Sequence, residues 1–163
     1  MFVKKVFMDI IAPYLFEMLL PLAVEWAAEQ ERMILEAGVP LDKQQLADAK
    51  ALGVHAPERV RLLRVDEVPT PRHPLLAEAA ARTGLVSPGT AGLTLRHGIF
   101  IRSDCWGQRL LVAHELVHVT QYERLGGFEA FLRPYLKECI LPPGYPNGPM
   151  EQEAVEKSEA LFR

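Results

Sequence analysis

The chain has 163 residues, 49% of them hydrophobic and 24% charged, with a net charge of −3. That length suits one domain with a proper core, and the composition excludes a disordered chain, a coiled coil or a collagen. The mild acidity leaves no broad basic field for nucleic acid, and two cysteines do not make a disulfide scaffold.

The first thirty residues look apolar, but Asp9, Pro13, Glu17, Pro21 and Glu25 interrupt them. A signal peptide needs an unbroken apolar run, and a spanning helix needs about 20 mostly apolar residues. The segment therefore reads as an amphipathic helix over residues 6–37, closed by Gly38 and Pro40, with Pro13 and Pro21 expected to kink or divide it. Lys4 and Lys5 beside an apolar face leave membrane-surface association as a minor expectation. The absence of an export signal leads to a cytoplasmic expectation with reduced cysteines.

Residues 41–52 read as a second helix ending at Gly53. Residues 59–68 (RVRLLRVDEV) read as a strand stopped by Pro69 and Pro71. Residues 75–83 are alanine-rich and helical, with Gly84 as the stop. Residues 93–102 alternate around His97-Gly98, as in a hairpin or a strand with a glycine bulge. Ser103 or Asp104 is then expected to cap a helix running to about Leu125, ahead of Gly126-Gly127. Another helix spans about 128–140, and Pro149 opens a last one ending near Leu161. Helices, a few strands and helices again make an α+β fold, taken as one unit: a helical segment over 1–53 and a core over 54–163.

The stretch that carries chemistry is His114-Glu115-Leu116-Val117-His118, an H-E-x-x-H pattern inside an expected helix. At about 100° per residue, His114 and His118 stand one turn and roughly 40° apart, so both imidazoles can converge on one Zn²⁺. Glu115 falls on the same side, in reach of a water activated by the metal, and suits a general base. Zinc needs a third protein ligand, and Glu151, Glu153 and Glu138 are the candidates.

HELVHVTQY followed by a helical E-x-E-A resembles the gluzincin class of zinc metallopeptidases over about residues 93–160, and is similar to short bacterial zincin-like domains. The resemblance implies a minimal zincin-like fold. It also implies His114, His118 and Glu151 as zinc ligands and Glu115 as the base. Glu151 also fits a structural role as an acidic residue in the first turn of its helix, and one residue could do both jobs. Many gluzincins carry an Asp four residues after the ligand Glu to orient a histidine. That position is Val155 here, so another group supports the histidine or the site is weaker.

Gln121, about 20° round the helix from His114, is a candidate to line the pocket or hold a ligand in place. Tyr145, in the loop before Glu151, is a candidate donor to a developing oxyanion. His97 is a lesser donor candidate. Cys105, Cys139, Trp106 and Trp26 read as packing. Strand 93–102 suits a half-buried edge to which an extended peptide could add. The expected function is zinc-dependent hydrolysis of peptide bonds in a peptide or protein substrate. The alternative is a zinc-binding scaffold or interaction module with little activity, in which Glu115 would have no purpose.

Overall fold

The computed structural model describes the backbone of residues 2–163 and the side chains from Pro13 onward. The side chains of Lys4 and Lys5, used in the membrane-surface reading, and of Asp9, one of the residues that interrupt the apolar run, lie outside the described residues. Among the described residues, six α-helices surround a four-stranded sheet. The helices are α1 (Phe2–Ala37), α2 (Lys43–Leu52), α3 (Pro74–Thr83), α4 (Arg109–Leu125), α5 (Phe128–Ile140) and α6 (Pro149–Ala160). The strands are β1 (Val39–Pro40), β2 (Arg61–Val65), β3 (Gly92–Leu95) and β4 (Gly98–Arg102). The mixed α+β expectation holds. No helix among the described residues is long and apolar enough to cross a membrane.

The sheet order is β1-β2-β4-β3. β4 pairs parallel to β2 and antiparallel to β3, with Leu63 opposite Phe100 and Thr94 opposite Ile99. The alternation around His97-Gly98 is thus a true hairpin, and its turn residue Arg96 takes a positive φ of 59°. Four of the five β4 residues are buried, as a central strand covered on both faces requires. On one face Ile99 and Ile101 join Val112, Leu116 and Val119 of α4 and Ala49 of α2. On the other, Phe100 joins Leu20, Ala23, Ala27 and Ile34 of α1 and Phe131 and Tyr135 of α5. The metal-motif helix and the long N-terminal helix therefore lie on opposite faces of the strand that centres the core.

Four expectations are corrected. Pro13 and Pro21 do not divide the first helix: one helix runs through both, and α5 likewise contains Pro134. Val39 and Pro40 do more than stop that helix, forming a short edge strand antiparallel to β2. Neither Ser103 nor Asp104 caps α4. Residues Ser103–Cys105 form a separate 3-10 turn, Gly107 takes φ 84°, and Gln108 is the residue before the helix. A left-handed residue cannot sit inside a right-handed helix, so α4 starts only after it. The strand expected over 59–68 shortens to Arg61–Val65, with Arg59 inside a 3-10 turn over Pro57–Arg59, while the remaining helix ends follow the sequence closely. Asp42 makes a capping box with Gln45, and Gly53, Gly84 and Gly126 end their helices with positive φ.

Candidate metal centre

Helix α4 presents His114 and His118 one turn apart, and the first turn of α6 brings Glu151 against them. His114 Nε2 and His118 Nε2 are 3.2 Å apart. Glu151 Oε2 lies 3.1 Å from His114 Nε2, and Glu151 Oε1 lies 3.0 Å from His118 Nε2. Among the described residues this trio forms a group able to hold a metal ion. Ligand atoms around a tetrahedral ion at 2.0–2.1 Å stand about 3.3 Å from one another, so the donor set fits zinc in spacing as well as in chemistry. His118 and Glu151 are 5% and 6% exposed, while the His114 side chain keeps 20% of its surface.

Two residues support the trio directly. Gln121, fully buried, donates through Nε2 to the Met150 carbonyl at 2.9 Å and to Glu153 Oε2 at 2.8 Å. Its Oε1 is therefore the acceptor facing His118 Nδ1 at 2.8 Å, so His118 donates there and turns the Nε2 lone pair inward. Glu153 is itself held by Arg124 and Lys157, and the Arg124 guanidinium is the main reason its carboxyl is lowered to about 2. Tyr135 of α5 donates its hydroxyl to Glu151 Oε1 at 2.6 Å. Burial pushes the Tyr135 phenol well up, with Glu151 adding to it, so the group remains a donor.

Burial opposes ionisation of Glu151, yet the neighbouring His114 and His118 imidazoles and the Tyr135 hydroxyl hold its carboxyl far below the usual range. For His118, burial opposes the charged form, but Glu151 and Glu115 outweigh it and raise the imidazole. Two buried carboxylates thus face the histidines, a field that favours a cation.

Glu115 is 5% exposed and stands outside the three-donor group, on the wall of the same cavity. Thr94 Oγ1 lies 2.6 Å from Glu115 Oε2 and 3.1 Å from the Glu115 carbonyl. Gly92 explains how the carboxylate fits: a Cβ there would stand 2.8 Å from Glu115 Oε1 and 3.0 Å from its Cδ. The hairpin edge therefore fixes the acid while α4 and α6 fix the three donors.

The other candidates have separate places. Glu138 is not part of the trio: its Oε2 accepts the Met150 N–H at 2.9 Å and so caps α6, the job that stood as the alternative for Glu151. Glu153 holds Gln121 and stands outside the three-donor group. Tyr145 lines the cavity with Glu115 and Glu151, and burial, followed by those two charges, pushes its phenol to about 12. His97 is no donor to the site: it is buried at the hairpin turn with Nε2 3.1 Å from Glu123 Oε1. Cys105 and Cys139 are both free and buried, and Trp106 and Trp26 pack at the margins of the two halves of the core.

Tyr135, Thr94 and Gly92 are the residues that sequence reasoning passed over. Each acts across elements, on α5 or β3, where no spacing from the motif marks it. Set against profiles of protein families, curated proteins and solved structures, the chain gives no match to any of them.

Proposed function

We propose that this chain is a zinc-dependent peptidase of minimal zincin-like, gluzincin-type fold, with His114, His118 and Glu151 as ligands and Glu115 as the general base. The observation that carries the reading is a buried carboxylate outside a three-donor trio yet on the same cavity wall. A structural zinc site closes with four protein ligands, whereas this trio leaves a position open. Zinc held there would supply Lewis acidity towards a peptide carbonyl and acidify the attacking water.

The chain's own residues supply the rest. Thr94 engages Glu115 Oε2, so Oε1 is the oxygen assigned to take the proton from the attacking water and pass it to the leaving amine. Gln121 fixes the His118 tautomer, and Tyr135 steadies Glu151. The Tyr145 phenol stays protonated at neutral pH and is available to donate to a developing oxyanion. Free, buried cysteines accord with a reducing, cytoplasmic setting.

The scaffold alternative gives no purpose to a buried Glu115 with its own hydroxyl donor and its own glycine clearance. The test is Glu115→Gln in zinc-loaded protein, assayed with a quenched-peptide mixture. The variant should keep about one zinc per chain and lose turnover by several orders of magnitude. Unchanged turnover refutes the mechanism.

A further inference from the structure

The trio and Glu115 open onto a cavity of about 690 Å³. Its walls are built largely from elements other than the two helices that carry the trio: Leu20 and Trp26 of α1, Leu76 and Ala80 of α3, Leu132 and Leu136 of α5. Its rim is apolar as well, for Leu15, Ile140 and Leu141 line it while remaining 43%, 53% and 58% exposed. Space of this size and character matches sites that bury most of a sizeable apolar ligand.

One side of the cavity is the sheet edge. β3 ends the sheet order, and Gly92, Leu93, Thr94 and Leu95 all contribute to the cavity wall. No strand lies on the outer side of β3 among the described residues. An edge strand offers amide hydrogens and carbonyls in register, which an extended peptide can use and a hydrocarbon chain cannot.

Resting on the peptidase reading, we propose that the substrate is a polypeptide with a run of large apolar side chains beside the scissile bond. Its backbone adds to β3, and its side chains fill the space between α1, α3 and α5. On this proposal the N-terminal helix is a specificity wall as well as part of the core. The same apolar space could take an acyl chain, and the β3 edge is what decides for a peptide.

The test separates binding from hydrolysis. Full-length Glu115→Gln protein is titrated with two dye-labelled peptides of equal length, one centred on Leu-Phe-Leu-Val and the other on Ser-Gln-Ser-Thr, read by fluorescence anisotropy. A dodecanoyl amide serves as competitor. The apolar peptide should bind at least about tenfold more tightly than the polar one. Ala80→Phe, which fills the space, and Leu76→Glu, which puts a charge on the wall, should each remove that preference in protein whose circular dichroism is unchanged. Equal binding of the two peptides overturns the proposal. So does a preference that survives both folded variants, or tight binding of the dodecanoyl amide with none of the apolar peptide. A preference for the apolar peptide without hydrolysis by zinc-loaded wild type would leave this assignment standing and defeat the peptidase reading instead. Equal cleavage of both peptides would do the reverse.

Discussion

Gln121 Oε1 stands 2.8 Å from His118 Nδ1, and the Gln121 amide nitrogen is tied down by Glu153 and the Met150 carbonyl. On the gluzincin-type reading proposed above, the position of an orienting Asp is taken by Val155. Gln121 does that work from α4 itself, three residues after His118, and borrows Glu153 of α6 as its anchor. Gln121→Leu should lower zinc affinity about 10–100-fold while the protein stays folded. Competition with a chromogenic chelator measures this, and wild-type affinity in the variant would make Gln121 mere packing.

Tyr135→Phe removes one hydroxyl and little volume. The hydrogen bond goes to a charged acceptor, so its loss should cost about 1.5–3 kcal/mol at that contact. The readout is zinc affinity in the same assay, with a fall of roughly tenfold or more expected. No change would show that Glu151 is positioned without it.

At Gly92 the added methyl of alanine would run into the Glu115 carboxylate rather than into the ligands. Gly92→Ala should therefore keep zinc and cut kcat by at least about tenfold, with KM altered less. Thr94→Val should act in the same direction through Glu115 Oε2. Loss of zinc in either variant would contradict the separation of base from ligands.

Glu123 ties the hairpin turn to the loop before β2. It accepts from the His55 and Ala56 N–H groups and faces His97 Nε2. Burial opposes its ionisation, but these partners win and lower its pKa below 4.5. A lowered carboxyl stabilises the fold above its unfolded pKa, and that contribution is lost as pH falls through the folded value. Wild type should thus lose stability to acid below about pH 4.5 more steeply than Glu123→Gln, by urea unfolding at stepped pH. Parallel curves would contradict this.

Much of this was legible in the sequence because it is local. The capping box at Asp42, the glycine stops and the H-E-x-x-H helix all depend on neighbours within a few residues. The start of α4 was misplaced because Gly107 adopts a left-handed φ that composition alone does not reveal. The sheet order was not legible, since the parallel pairing of β2 with β4 joins residues 37 positions apart, Arg61 with Gly98 through Val65 with Arg102. At the site, Gln121 was visible through helical spacing. Tyr135 and Thr94 were not, because tertiary packing alone brings them to Glu151 and Glu115. Glu138, a third-ligand candidate by sequence, instead turns its carboxylate to the Met150 N–H.

The measurement that tests the account most directly is zinc content by elemental mass spectrometry, in wild type beside His118→Ala, Glu151→Ala and Glu138→Gln. The account predicts about one zinc per chain in wild type and in Glu138→Gln, and loss of zinc in the other two. Zinc retained in Glu151→Ala would contradict the ligand set. No zinc in wild type after metal is added back would contradict the metal centre itself.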